Sequence, residues 1–388
     1  MLIISLVCFL ITLAVIVELG VGYLKLVSLD TYLPDPVAPA RVSVIVPACN
    51  EAQTIESGLR SLAGQNYGNL EIIVVNDRST DGTQQVIEHV RDEFPKIQSL
   101  EIKSLPSGWL GKPHALQKGA EMATGEYLIF TDADVQFEET TISRAVTALE
   151  TENLDHLTLI FKNSSGGALL NAIVGDIGAG LIWLIKPWQA KKRNGRFSVG
   201  VGAFNMVRGS AYQAIGMHEQ VRMQVIDDLF LGKIIKRQGF SQDCLLAQDF
   251  LSVPWYPSVG QLVSGLMKNV FAFFNYRLPY VMVGLMGLFF VVLLPYFGVL
   301  FGSGPARLFF LLTIAIRCIG IGHGMIRSGV EKTAALWLLL TPFITVAIIV
   351  RATAISLING GITWRGSFYP LGELKKKEWV LSGIFRLF

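Results

Sequence analysis

The sequence predicts an α/β domain with a parallel sheet, held between membrane-crossing helices at the two ends of the chain. Three observations carry this reading. From residue 41 onward, short apolar runs alternate with helical stretches, the pattern of a parallel sheet with crossover helices. Each run closes on polar or acidic residues, as strands do at the carboxyl edge where such sheets keep their ligands. The chain is also 51% hydrophobic and only 16% charged, against about 25% charged in ordinary soluble domains, and the apolar excess lies at the ends. With 388 residues there is room for one full α/β domain and a membrane portion. A net charge of +3 is too small to argue for a nucleic-acid partner. Cys8, Cys49, Cys244 and Cys318 lack metal-type spacing. Nothing in them implies an oxidising compartment, and Cys8 and Cys318 sit in apolar runs as packing residues.

Residues 1–28 are almost wholly apolar, interrupted by Glu18 and Lys25. Without a basic leader or a small-residue cleavage site the run reads as a retained span and not a removable signal. Residues 30–40, with Pro34, Pro36 and Pro39, read as a linker. Val42–Val46 is a buried strand, and Pro47-Ala-Cys-Asn-Glu51 turns into a helix that Asn50 is placed to cap. Leu70–Val75 is the second strand and leads to Asp77, a carboxylate at a strand end suited to a ribose or base. Asp81 reads as a helix cap before the helix Gln84–Glu93.

Tyr127-Leu-Ile-Phe130 is a third strand, followed by Asp132-Ala-Asp134. In extended backbone, residues two apart point to the same side. Asp132 and Asp134 therefore converge as hard oxygen donors suited to Mg²⁺ or Mn²⁺; the alternative is a polar turn that merely closes the strand. Gly108-Trp-Leu-Gly-Lys112 is a loop leading into a helix from about His114. Lys112 at a helix N-terminus is poorly placed for the macrodipole unless an anion sits there; the alternative is a solvated loop lysine. The pair Asp227-Asp228 opens the helix Leu229–Arg237, and Asp227 is placed to cap it.

Pro47-Ala-Cys-Asn-Glu51, Val75-Asn-Asp77, Gly111-Lys112, Asp132-Ala-Asp134 and Ile226-Asp-Asp228, in this order, resemble the motifs of family 2 glycosyltransferases. These are inverting enzymes of the GT-A fold that use nucleotide-diphosphate sugars. The resemblance covers roughly 41–274. It implies a donor site formed by Pro47, Asn50, Glu51, Asp77, Lys112 and Asp132, with a UDP-sugar the expected donor. It also implies Asp134 as the ligand of the divalent metal and Asp228 as the general base, with Asp227 beside it. Val199–Arg208, including Gly202, resembles the family's glycine-rich wall beside donor sugar and acceptor. Processive members carry Gln-x-x-Arg-Trp after the base; here Gln261 is followed by Ser264 and Gly265 where Arg and Trp would stand. Leu105–Lys112 and Gly361–Gly366 are similar instead to membrane glycosyltransferases of carotenoid and hopanoid loci. A lipid acceptor is the implied partner.

Residues 169–188 repeat apolar side chains at helical spacing, with Asn171 and Asp176 off the stripe and Trp183, Trp188 and Lys191–Arg193 at its end. The segment reads as an interfacial helix, with a buried core helix as the alternative. Three further runs within 278–357 (278–301, 307–325 and 333–357) are each long enough to span. The tail 358–388 holds Arg365, Lys375, Lys376, Lys377 and Arg386, which argues for the cytoplasmic side. A cell-membrane, multi-pass protein with a cytoplasmic catalytic domain follows. Four full spans would nevertheless leave the tail outside. One run must therefore be re-entrant or interfacial, with the relatively polar 307–325 the expected one, or 169–188 must cross. Trp364 and Arg365, just after the last run, are placed either to reach a diphosphate or to anchor at the interface. A single-sugar transfer to a lipid competes with a processive polysaccharide synthase and with a non-catalytic nucleotide-binding protein. The complete carboxylate set favours the first.

Overall fold

The computed structural model describes residues 1–35 and 40–375. Pro36 and Pro39 of the expected linker, and Lys376, Lys377 and Arg386 of the basic tail, lie outside the described residues. The chain divides into an α/β unit (26–164 and 186–254) and an apolar unit (1–25, 165–185 and 255–388).

In chain order the elements begin with α1 (Leu2–Lys25), which belongs to the apolar unit. The α/β unit opens with β1 (Val42–Ala48), α2 (Ile55–Ala63), β2 (Leu70–Asp77), α3 (Thr83–Glu93) and β3 (Ile97–Ile102). It continues with α4 (Gly111–Met122), β4 (Tyr127–Phe130), β5 (Gln136–Phe137), α5 (Thr141–Thr151), β6 (His156–Ile160) and β7 (Lys162–Asn163). After α6 (Ala168–Ile185) come β8 (Asn205–Arg208), α7 (Gly209–Ala214), α8 (Asp227–Arg237), β9 (Gln242–Leu246) and β10 (Leu251–Val253). The main sheet has the order β3-β2-β1-β4-β8-β6-β9. It is mixed where a parallel sheet was expected, because β8 runs antiparallel to both β4 and β6. The strands β5, β10 and β7 form a small second sheet.

β1 and β2 are near-continuous apolar runs because both of their faces are covered, as central strands in α/β sheets require. Ile45, Leu128, Phe130 and Val207 pack under Leu116 of α4, Tyr212 of α7 and Leu231 and Ile235 of α8. Pro47 lies inside β1 opposite Val75. It is tolerated there because β4 stops opposite Ile45, which leaves β1 with a partner on one side only. Beneath β6 and β8 lies a buried polar chain: Gln242 Nε2 donates to His156 Nδ1 at 2.6 Å, and His156 Nε2 faces Asn205 Oδ1. Burial pushes the His156 imidazole down to about 4, so the ring is neutral.

The apolar unit contains α1, α6, α9 (Val259–Phe273), α10 (Leu278–Leu288), α11 (Leu294–Phe301), α12 (Gly304–Arg327), α13 (Thr341–Ile358) and the short α14 (Leu371–Leu374). A π turn joins α10 to α11 into one continuous run, and Lys332–Leu339 is a 3₁₀ helix. The strands β11 (Gly361–Trp364) and β12 (Ser367–Pro370) pair as a hairpin. Among the described residues, five helices are long and apolar enough to cross a membrane: Leu2–Lys25, Ala168–Gln189, Leu278–Phe301, Gly304–Arg327 and Thr341–Ile358. The α/β unit ends at Pro254, where 274 was expected. The reason is that α9 and α6 bury their apolar faces with α13, as Leu262, Leu266, Leu170, Ile173 and Ile348 cluster together. Asp176, off the apolar stripe of α6, is buried against Arg317 of α12.

Candidate active site

The carboxyl ends of β1, β2 and β4 lie side by side, since Ala48 is level with Asn76 and Thr131 N donates to Ile45 O at 3.2 Å. Three loops leave that edge. The first carries Asn50 and Glu51. Asn50 adopts φ 56° and does not cap α2, which starts at Ile55 after Thr54. Its Oδ1 instead accepts from Thr80 N at 2.8 Å, and its own N–H donates to Ser79 Oγ. The Glu51 N–H donates to Thr83 Oγ1 at 2.8 Å. Both residues thus lock the β1 loop to the β2 loop.

Asp77, 3% exposed, ends β2. Arg78 grips both of its oxygens, Nε to Oδ1 and Nη2 to Oδ2, each at 2.8 Å. Gly111 stands so close that any side chain there would strike Asp77 and Arg78. Asp81 Oδ1 accepts from Thr83 N at 3.0 Å, but Gly82 holds the cap position of α3, so Asp81 is not the cap that was expected.

The third loop follows β4. Because β4 ends at Phe130, Asp132 and Asp134 lie in a turn and not in extended backbone. The turn still brings them together: burial, then the charges of Asp132 and Glu51, push the Asp134 carboxyl up to about 7. Helix α4 starts at Gly111, earlier than expected, so Lys112 belongs to its first turn. Its Nζ lies 2.5 Å from Asp132 Oδ1, the anion that its position called for. Burial alone would depress this ammonium, but Asp132, Asp227 and Asp228 hold it well above its ordinary value.

Gly202 closes the group. A methyl built on it would stand 3.1 Å from Asp132 Oδ2, 3.4 Å from Asp228 Oδ2 and 3.5 Å from Lys112 Nζ. Thr131 Oγ1 donates to Ala203 O at 2.7 Å and ties this stretch to the end of β4. Asp227 is the first residue of α8, with Ile226 in the cap position, so it does not cap the helix as expected. Asp227 is 3% exposed, whereas Asp228 in the second position is only partly buried. Burial raises both carboxyls, and Lys112 opposes the shift.

Lys112, Thr131, Gly202, Asn205, His218, Asp227 and Asp228 line a small cleft. Sequence reasoning missed His218 and Thr131, whereas Asn205 lies in the expected Val199–Arg208 wall. His218 accepts from Tyr212 O–H at 2.5 Å and lies edge-on to Phe130, ring centroids 4.6 Å apart. Burial and Lys112 push it down to about 3, so it is a neutral wall. No motif spacing marks it. Trp364 and Arg365 belong to the β11–β12 hairpin of the apolar unit, with Arg365 and Gly366 as its two-residue turn at φ 48° and 79°. Lys268 Nζ lies 4.4 Å above the Trp364 ring.

Among the described residues, no three His, Cys, Asp or Glu side chains converge as a complete metal cage. The pair Asp132 and Asp134 still fits a hard divalent cation. Asp134 sits in an excess of negative charge that a cation would relieve, and Mg²⁺ or Mn²⁺ on one or two carboxylates takes its remaining ligands from water and phosphates.

Such a sheet, with carboxylates and one lysine gathered at its carboxyl edge, is laid out as α/β folds lay out their ligand sites. Residues 43–216 match the model of Glycosyl transferase family 2, and this stretch is a domain of that family. The uncharacterized glycosyltransferase YibD of Escherichia coli is 30% identical over 115 residues, which are 30% of this chain and 32% of that protein. The 4,4′-diaponeurosporenoate glycosyltransferase of Staphylococcus haemolyticus is 23% identical over 252 residues, 62% of this chain and 64% of that protein. The chain thus spans less than two thirds of both relatives. The solved mannosyltransferase PcManGT of Pyrobaculum calidifontis, in complex with GDP-Man and Mn²⁺, superposes with a TM-score of 0.56 at 18% identity. That alignment covers 92% of this chain and 98% of that one, and it shows the GT-A fold.

Proposed function

We propose that the protein is a membrane-bound, inverting glycosyltransferase that moves one sugar from a nucleotide-diphosphate donor to the hydroxyl of a lipophilic acceptor. The observation that carries this reading is the convergence of Lys112, Asp132 and Asp228 on Gly202, at the edge where the β1, β2 and β4 loops meet. On this reading Asp77 and the Asn50–Glu51 loop hold the nucleoside end of the donor. Asp134, with Asp132, would hold Mg²⁺ or Mn²⁺, which supplies charge neutralisation to the departing diphosphate. Lys112 adds a second positive charge there once the diphosphate competes for its ammonium. Glycine at 202 keeps out a side chain that would crowd Asp132, Asp228 and Lys112.

Asp228 is the base that takes the proton from the acceptor hydroxyl as the oxygen attacks the anomeric carbon. It is chosen over Asp227 because its carboxylate stands beside Gly202 and is the more exposed of the two, whereas Asp227, also in the cleft wall, is 3% exposed. The apolar helices of the same chain would hold the domain at a bilayer, where a lipophilic acceptor is dissolved; the diaponeurosporenoate relative acts on an acceptor of that kind by its name. A growing polymer is disfavoured at Gly265, where the Tyr256 ring occupies the space that any side chain would need.

The test is turnover of UDP-, GDP- and dTDP-sugars with extracted lipids in proteoliposomes, reading nucleotide release and product size. A lipid carrying one sugar is the expected product. A polymer, or no release with any donor, would overturn the reading.

A further inference from the structure

We infer that the chain crosses the bilayer three times and that residues 332–358 form a re-entrant hairpin, returning to the side from which they enter. The inference rests on the reading of the apolar unit as membrane-embedded, not on the reaction.

Helix α6 does not cross. Strand β8 follows it in the chain, yet β8 hydrogen-bonds β4 and β6, which precede it. Residues 164 and 186 therefore belong to one folded unit, and a single crossing between them would put β8 on the far side from its partners. The contacts of α6 run from Met325 near the end of α12 to Arg317 in its middle, as for a helix that dips obliquely and does not cross. Gly175 meets Met325 near the end of α12, and Trp183 Nε1 donates to Glu18 near the end of α1 at 2.9 Å.

Helices α1 and α12 run parallel. Phe9 packs on Phe309, ring centroids 5.7 Å apart, and further along both helices Ile16 fills the space beside Gly320. Helix α1 leads into the α/β unit, so α12 also runs toward the side that holds that unit. The continuous run Leu278–Phe301 must then lead away from it. At about 1.5 Å per residue, these three runs of 24 residues span roughly 36 Å each, enough for a hydrocarbon core of about 30 Å.

After α12 the chain folds back. Ala334 packs near Met325, Ala335 and Leu338 lie beside Gly322, and Leu338 O accepts from Arg317 Nη1 at 3.2 Å. The 3₁₀ segment thus climbs antiparallel to α12, from Met325 to Arg317. Helix α13 then descends. Its first turn meets Tyr296 through Phe343 at 5.1 Å, and Ile348 reaches α6 and α9.

Non-α backbone at membrane depth needs its polar groups satisfied by protein. Arg317 supplies this, buried, paired with Asp176 and bonded to the Leu338 carbonyl. This places α12 among the crossing helices and assigns the re-entrant role to 332–358. Arg327, Lys332 and Lys375 then share one side, as positively charged loops on the cytoplasmic face do.

The test is the side from which single cysteines are labelled by a membrane-impermeant maleimide, in full-length chain with Cys8, Cys49, Cys244 and Cys318 replaced by alanine. The probes are Glu88→Cys in the α/β unit, Ser303→Cys between α11 and α12, Glu331→Cys after α12 and Glu373→Cys after the hairpin, all exposed positions. Glu88→Cys, Glu331→Cys and Glu373→Cys are expected to label from one side and Ser303→Cys from the other. Labelling of Glu373→Cys from the side of Ser303→Cys would mean that α13 crosses, and the same result for Glu331→Cys would mean that α12 does not. Either overturns the inference. Should the cysteine-free chain fail to accumulate in membranes, fluorescent and phosphatase reporters fused after 303, 331 and 375 of the native chain give the same reading.

Discussion

At the scale of single residues, the site turns on which carboxylate can reach an acceptor. Asp228 is expected to be the base, so Asp228→Asn should lower kcat by about 10²–10⁴-fold, the usual contribution of a positioned base, with donor binding retained. Asp227→Asn should act mainly through folding, because it changes a group buried at the start of α8. Steady-state kinetics and isothermal donor titration on both variants check this, and a larger kcat loss for Asp227→Asn would reverse the assignment. Lys112 is a different case. Its partner in the donor-free site is Asp132 at 2.5 Å, so Lys112→Met should raise the donor KM and lower kcat together.

At the scale of elements, the His156 chain between β6, β8 and β9 has a consequence for pH. The folded state holds this ring at about 4, below its ordinary 6.5, because it is buried. A depressed histidine favours the neutral form when folded. Its contribution is therefore present above pH 6.5 and is lost as pH falls toward 4. The neighbouring Asp155 and the Asn205 bond only partly offset the burial. Between pH 7.5 and 5 the linkage amounts to about 2 kcal/mol. Thermal unfolding in detergent should show that loss in the native chain and a smaller one in His156→Gln. The β11–β12 hairpin offers a second element-scale test. Lys268 over Trp364 supports an interfacial anchor, so Arg365→Ala is expected to leave the donor KM within about twofold. A clear rise in KM would instead support contact of Arg365 with the diphosphate.

At the scale of the whole molecule, a divalent cation on Asp134 and Asp132 predicts that EDTA abolishes sugar transfer and that Mn²⁺ or Mg²⁺ restores it. Full activity in chelator would contradict the role given to that pair. The acceptor can be tested by chemistry alone. A hydroxyl needs Asp228 to remove its proton, whereas a carboxylate is already ionised near neutral pH. With paired alcohol and acid lipids of equal chain length, the native enzyme is expected to glycosylate the alcohol, and Asp228→Asn to lose that activity. Glycosylation of the acid alone, surviving in the variant, would sink the hydroxyl reading.

What the sequence determined by itself is local. Strands β1, β2 and β4 are visible as apolar runs because both of their faces are buried, and Asp77 and Asp132 are visible because they stand at the ends of those runs. The apolar helices are legible for the same reason, since length and composition suffice to mark them. The tertiary structure decided whatever depends on residues far apart in the chain. It set β8 antiparallel within the sheet, placed Gly202 against Asp132 and Asp228, and folded His218 into the cleft wall. It separated Asp228 from Asp227, which neighbouring positions on a helix could not do. It also paired Asp176 with Arg317, two charges that look misplaced in apolar runs until the chain brings them together. Periodicity records which face of an element is buried, but not which distant element buries it.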